Sequence, residues 1–363
     1  MFLKRFQHLV DLPRTRVPER AYGPESLRLQ RNEKPNAWPK DLQERVFGAV
    51  PPNLLQRYPD ASPFYAKLAK FLGVPVENVL VTAGIDEPIR SLLTLTCEPG
   101  DTYVFTPGYA MYEVYGRMLG LSPAQIAYDP RKFMTAEEFC AKIPAQSKIV
   151  FLPNPSQPVE NCFDLGGLHK IASHCRAKDI LFVVDEAYYF FGAPTAIPLT
   201  HEFENLLVMR SFSKAFGAAS LRLGYVVGGP AALKTLAAYR LGYEANALTF
   251  HAGAVLLDCF ESHVKASIES ICQGRDWLRE ACKTAGLSAW GAVSNNVLID
   301  VGSADRAKAA AKALEAKEIY VKSGFAAPLD GCLLVTCGPK DMMTRFHDAL
   351  QGVLKGKASA CTS

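Results

Sequence analysis

Residues 180–189 read ILFVVDEAYY and residues 205–211 read NLLVMRS. Each is an unbroken apolar run that stops on polar residues, without the alternation of a strand that has one wet face. Such runs are strands covered on both faces, the pattern of a parallel sheet sandwiched by helices. Outward from this pair the pattern repeats. Upstream, NVLVTAG (78–84) precedes the helix pattern IDEPIRSLLTLTCEPG, TYVFTPG (102–108) precedes YAMYEVYGRMLG, and KIVFLPNP (148–155) precedes LGGLHKIASHCRA after a looser stretch. Downstream, YVVGG (225–229) precedes PAALKTLAAYRLGY. This alternation predicts an α/β, doubly wound sheet with its functional loops at the carboxyl ends of the strands.

Beyond residue 250 the texture changes. A long helical pattern over 250–286 leads into NNVLIDV, EIYVKSG and GCLLVTCG, with the alanine-rich ADRAKAAAKALEAK between the first two. That predicts a smaller α+β unit at 251–363 after a large domain at 41–250, while residues 1–40, rich in proline and polar groups, read as an arm that packs with the small domain near the substrate site. At 363 residues, 49% hydrophobic and 21% charged, the chain is long enough for both units. A net charge of +4 is too small to point to nucleic acid or a membrane surface. No apolar run approaches the roughly 18–20 residues of a membrane helix. The N-terminus is too charged and proline-broken for a secretory signal, and LKGKA near the C-terminus reads as a frayed tail. Ten cysteines and seven histidines are dispersed, with no metal spacing, so reduced thiols, no metal and a cytoplasmic location are expected.

The chemistry lies at the strand ends. In RSFSKAFGAASLRLGY (210–225), Lys214 sits among small residues and hydroxyls, with Arg222 eight positions on. A solvated loop lysine would explain Lys214 but not its neighbours. Ser211, Ser213 and the guanidinium fork of Arg222 suit a phosphate. Asp185 ends an apolar strand, so its carboxylate needs a partner: a helix to cap, an arginine, or a ligand. Tyr188 brings a hydroxyl to the same edge. Asn154 stands in an Asn-Pro turn, which is often purely structural. Gly84 and Ile85 lie at a strand-to-helix junction, where backbone N–H groups and the helix dipole favour an anion. Together these groups are the set that pyridoxal 5′-phosphate requires: an amine for its aldehyde, a carboxylate for its ring nitrogen, donors for its phenolic oxygen, an aromatic over its ring, and a phosphate cup.

Seven stretches in order resemble the fold-type I, class I/II aminotransferases, and among them the histidinol-phosphate aminotransferase-like group. They are RNEKP (31–35), RYPD (57–60), GIDE (84–87), PGYAMY (107–112), NPSQP (154–158), VVDEAYYFF (183–191) and SFSKAFGAASLRLGY (211–225). The resemblance implies a large domain with a mostly parallel seven-stranded sheet, a smaller α+β domain, and pyridoxal phosphate as cofactor. Lys214 would form the Schiff base and shuttle the substrate's proton, with Asp185 on the pyridine nitrogen and Asn154 and Tyr188 on the phenolic oxygen. Tyr109 would stack on the ring. Ser211, Ser213, Arg222 and the Gly84–Ile85–Asp86 turn would hold the phosphate. Tyr58 would reach the cofactor of a partner subunit in a homodimer with shared sites. Tyr22, Asn32, Glu33, Asn295 and Lys322 are the candidates on the substrate side.

Two departures bear on the substrate. The family's turn continues Asn-Pro-Thr-Gly, where this chain has Ser156 and Gln157. Its small-domain strand carries a carboxylate-gripping arginine in Leu-Arg-Ile-Thr-x-Gly, where this chain reads LLVTCG with Leu334 in the arginine's place. Losing such a fork should cost about 2–5 kcal/mol in carboxylate binding. Lys322 or Lys340 would supply another cation, or the substrate would lack a carboxylate there, or the enzyme would do other chemistry. The leading expectation is an aminotransferase that joins a small-molecule amine donor to a small polar carbonyl acceptor, phosphorylated acceptors included. The alternative is a decarboxylase similar to the threonine-phosphate decarboxylases. A regulator of this fold would need a DNA-binding domain for which the arm leaves no room, and a nicotinamide dehydrogenase would need a GxGxxG that the chain lacks.

Overall fold

The computed structural model describes residues 22–48, 50–240 and 242–356. The readings of residues 1–20, of the tail beyond Gly356 and of Cys361 lie outside them. A seven-stranded sheet forms the centre of the molecule, in the order Val79–Thr82, Gly224–Gly228, Leu206–Ser211, Leu181–Asp185, Ser147–Pro153, Thr102–Phe105 and Ser122–Gln125. Only Gly224–Gly228 runs antiparallel to its neighbours, Val79–Thr82 and Leu206–Ser211; every other pair is parallel.

The apolar runs are continuous because alternate residues feed two cores. Val150, Leu152, Phe182, Val184, Leu206 and Val208 pack into one. Their chain neighbours Ile149, Phe151, Val183, Leu207 and Met209 pack into the other, against the helices Asp86–Thr96 and Met111–Met118. The seventh strand carries no such run. Ser122–Gln125 reads SPAQ and is largely exposed, an edge strand that tolerates Pro123 and needs little apolar surface. It lies in what the sequence offers only as a looser stretch, together with the short helix Ala136–Lys142, which opens on a Thr135–Glu138 capping box.

A second sheet has the order Cys332–Thr336, Asn296–Asp300 and Ser288–Trp290, all antiparallel. The arm adds a strand unannounced by its sequence: Leu27–Leu29 pairs in parallel with Ile319–Val321. The helical pattern over 250–286 is not one helix. It divides into Ala247–Asp258 and Lys265–Thr284 around a five-residue π turn, Phe260–Val264. No glycine or proline marks the break; the wider turn sets Phe260 against Phe71, Phe190 and Phe216. Ala247–Asp258 spans the boundary drawn at residue 250 and packs on Ser62–Leu72, with the Phe64 and Phe250 rings 5.4 Å apart. The nine described cysteines are unpaired, and no described group of His, Cys, Asp and Glu has the makings of a metal site. No described helix is long and apolar enough to cross a membrane.

Candidate active site

A cavity of about 510 Å³ opens where the carboxyl ends of the central strands face the arm and the second sheet. On the strand side lie Asp185, Tyr188, Ser211, Ser213 and Lys214, with Ile85, Tyr109 and Arg222 around them. On the other side lie Asn32, Glu33 and Lys322. Residues more than a hundred positions apart in the chain thus meet in one place, because parallel strands deliver all their carboxyl ends to the same edge.

Lys214 follows the strand Leu206–Ser211 and reaches into the cavity, where its Nζ donates to the Arg31 carbonyl at 3.3 Å. Burial pushes its pKa down to about 8, against the pull of Glu33 and Asp185. The amine is therefore easily discharged near neutrality, as a nucleophile or proton carrier must be. Asp185 accepts the Tyr112 hydroxyl at 2.6 Å and the Ala187 N–H at 3.0 Å. Its pKa is pushed up to about 6 by burial, which these hydrogen bonds only partly offset. The arginine that could have paired with it, Arg210, is bound to its neighbour Glu186 instead, at 2.8 Å. Asp185 is left as a buried carboxylate that would gain from a cationic N–H partner in the cavity.

The anion cup is built on the opposite flank. Ser211 Oγ accepts the Ser213 N–H at 3.0 Å, which fixes both residues in a tight turn. Arg222 adopts a left-handed conformation (φ 49°), with its guanidinium held by Asp86 at 3.2 Å and by the Ala219 carbonyl at 3.1 Å. Asp86 also accepts the Tyr109 hydroxyl. Its carboxylate thus holds two cavity residues in place. Gly84 has the left-handed backbone (φ +72°) that favours glycine, and a Cβ there would crowd the end of the Arg222 side chain. Lysine amine, uncompensated carboxylate, paired hydroxyls and guanidinium match the donor set of pyridoxal phosphate.

Other predicted residues stand elsewhere. Asn154 is fully buried, but its Oδ1 accepts the Phe163 N–H at 2.8 Å and its Nδ2 donates to the Phe163 carbonyl at 3.0 Å. It braces the turn and does not line the cavity. Asn295 holds the arm, donating to the Asn32 carbonyl at 3.2 Å. Tyr22 lies outside the cavity against Tyr320, its hydroxyl accepting from Gln30 at 3.1 Å. Tyr58 is 80% exposed and stacks on Tyr243 with ring centroids 4.5 Å apart. Leu334 is 1% exposed, and its backbone bridges that of Lys322 through two hydrogen bonds of 2.8 and 3.1 Å. Lys322 is therefore the cross-strand neighbour of the position where an arginine was expected, and its side chain lines the cavity. Burial lowers its pKa.

Three contributors escape the sequence reading. Tyr112, the second residue of its helix, supports Asp185; Arg31 lines the cavity; and Gln157 hydrogen-bonds Tyr188. Gln157 alone left a signal, as a departure from the family's turn.

The aminotransferase class I and II family model matches residues 27–350. A histidinol-phosphate aminotransferase of Caldanaerobacter subterraneus is 28% identical over 338 residues, covering 91% of this chain and 94% of that protein. One from Synechococcus sp. (strain JA-2-3B'a(2-13)) is 31% identical over 294 residues, covering 78% and 82%. The solved histidinol-phosphate aminotransferase of Sinorhizobium meliloti, in complex with pyridoxal-5′-phosphate, superposes with a TM-score of 0.81 at 22% identity over 90% of each chain. The chain belongs to the class I and II aminotransferase family, in its histidinol-phosphate aminotransferase-like group. The expectation drawn from its motifs, a fold-type I transaminase that uses pyridoxal phosphate, is borne out.

Proposed function

We propose that the chain transfers an amino group from a small-molecule amine donor to a small polar carbonyl acceptor, phosphorylated acceptors included, and grips the acidic group of its substrate with Lys322 in place of an arginine at position 334. The observation that carries the reading is the placing of Lys214 and Asp185 on one cavity, a readily discharged amine beside a buried carboxylate whose hydrogen bonds come only from neutral groups.

Pyridoxal phosphate, when bound, supplies the electron sink that lets the substrate's Cα lose its proton. Lys214 would take up and return that proton, a role that a buried amine of lowered pKa can fill near neutral pH. Asp185 would hold a proton on the ring nitrogen, gaining a charged hydrogen-bond partner that the fold does not supply. Tyr109 covers the ring. Ser211, Ser213 and Arg222 hold the phosphate at the N-terminus of Asp86–Thr96, with Asp86 keeping the guanidinium aimed. Arg31 and Glu33, on the arm, border the cavity.

The enzyme acts as a homodimer in the cytoplasm. Tyr58, Leu55 and Phe47, 80%, 73% and 61% exposed, are apolar surface that a second copy would cover, carrying Tyr58 to the neighbouring phosphate. The unpaired described cysteines suit a reducing compartment.

The test is a screen of amine donors by half-reaction, following the cofactor's visible band and the released product. Conversion of the band with release of a keto acid or aldehyde supports transamination; carbon dioxide without a carbonyl product overturns it in favour of decarboxylation. Lys214→Ala is expected to lower turnover by roughly 10⁴-fold or more and to lose borohydride fixation of the cofactor.

A further inference from the structure

We propose that Gln157 is a positioning residue that fixes the Tyr188 hydroxyl as a hydrogen-bond donor into the cavity, toward the cofactor's phenolic oxygen. The inference rests on the reading of this cavity as a pyridoxal-phosphate site.

The amide orientations follow from one chain of partners. The Asn32 N–H donates to Thr336 Oγ1 at 2.9 Å, and the Thr336 hydroxyl returns its hydrogen to Asn32 Oδ1 at 3.2 Å. Asn32 Oδ1 is thus an acceptor, and Nδ2 has two hydrogens to give. One goes to Gln157 Oε1 at 2.6 Å and the other to Tyr188 Oη at 2.8 Å. Gln157 Oε1 being an acceptor, its Nε2 faces Tyr188 Oη at 2.9 Å and donates there. Two N–H groups therefore point at one phenolic oxygen. That fills its acceptor side and leaves the hydroxyl's own hydrogen as its remaining bonding capacity. Tyr188 lines the cavity beside Lys214 and Asp185, where the hydrogen has room to find an anionic oxygen. Charge-like polarisation along such a chain strengthens the last donor.

Position 157 is where the family's turn has glycine, which offers no side-chain donor. The backbone of Gln157 is set closely: a Cβ on Gly108 (φ +145°) would stand 1.9 Å from the Gln157 carbonyl, so Gly108 is what lets the loop after Thr102–Phe105 approach the turn after Ser147–Pro153. Asn154, three residues earlier, has spent its carbonyl and one amide hydrogen on Phe163. Tyr188 is thus supported from Gln157 and Asn32.

The experiment is a spectrophotometric pH titration of the holoenzyme's visible band in the wild type, Gln157→Leu, Gln157→Gly, Tyr188→Phe and the double variant Gln157→Gly/Tyr188→Phe. A donor to the phenolic oxygen lowers the midpoint of that band, because it relieves the oxygen of holding the imine proton. Gln157→Leu and Gln157→Gly are expected to raise the midpoint by about 0.5–1 pH unit, the worth of one neutral hydrogen bond. In the Tyr188→Phe background Gln157→Gly should add nothing. An unmoved midpoint in both single variants overturns the inference, as does an equal shift with or without Tyr188. Gln157→Gly carries the family's own residue, so a folding failure of Gln157→Leu leaves the test standing. Borohydride fixation to Lys214 is checked first: its failure defeats the underlying reading, whereas fixation with an unmoved midpoint defeats only the role of Gln157.

Discussion

The two walls of the cavity are built differently. On the wall made by the central sheet, Lys214, Asp185, Tyr188, Ser211 and Ser213 stand on or just past strand ends, each backed by a covered apolar run. On the opposite wall, Asn32, Glu33 and Lys322 come from the arm and a strand-edge bridge, and depend on contacts such as Asn32 with Thr336 and Lys322 with Leu334. The first wall keeps the family's residues at matching places. The exception on that wall is the turn after Ser147–Pro153, where Gln157 stands; the second wall has Leu334 and Lys322 where the resemblance leads one to expect an arginine. Adjacent carboxylates within the first wall show what its constancy means. Glu186 is sealed by Arg210, Thr195 and the Ala196 N–H, whereas Asp185, one residue earlier, is given only neutral donors. One carboxylate holds the fold, and the other is left for a ligand.

If the second wall sets the substrate, removing its cation should be costly. Lys322→Ala is expected to lower kcat/KM for an acid-bearing substrate on the order of 10²–10³-fold, chiefly through KM, as for a desolvated charge pair that loses one partner. Leu334→Arg in that background should recover part of the loss. Steady-state kinetics that show no change in KM for Lys322→Ala would place the anion grip elsewhere, with Arg31 the next cation in the cavity.

The first wall is tested through stability. The folded-state pKa of Asp185 lies near 6, above the ordinary carboxylate value, so the fold disfavours its ionisation. A raised carboxyl pKa means stability is lost as pH rises from about 4 to about 6. Apo Asp185→Asn should therefore equal the wild type near pH 4 and exceed it above pH 6, by about 1–3 kcal/mol. The same variant should hold pyridoxal phosphate more weakly. Urea unfolding of both apo proteins at pH 4 and pH 8 decides it; a wild type more stable than the variant at pH 8 would mean that Asp185 is a structural residue like Glu186.

The smallest expected effect belongs to Tyr58, which stands on neither wall of its own chain. Tyr58→Ala should weaken cofactor retention by about fivefold, the worth of one hydrogen bond at an interface, and sedimentation should show a dimer for the wild type. A monomeric wild type would remove Tyr58 from the site.

The legibility of the two walls differed for physical reasons. Apolar runs such as ILFVVDEAYY and NLLVMRS announce strands because burial on two faces admits few other residues, and the polar residue that ends each run is placed at the sheet edge by the same rule. The edge strand Ser122–Gln125, the arm strand Leu27–Leu29 and the π turn Phe260–Val264 carry no such burden and were silent. Asn154 shows what a motif does not announce: its amide oxygen and one amide hydrogen are engaged by Phe163, a partner nine positions on.

By itself, the sequence determined the buried strands of the sheet and the cofactor chemistry, because each depends on residue type at a fixed step along one strand or loop. Tertiary structure alone decided that Lys322 lies across from Leu334, that Arg210 chooses Glu186 over Asp185, and that Asn32 and Gln157 converge on Tyr188. Those are pairings between segments 12 to 156 residues apart, and their distances are set by how the elements pack, which no local pattern encodes.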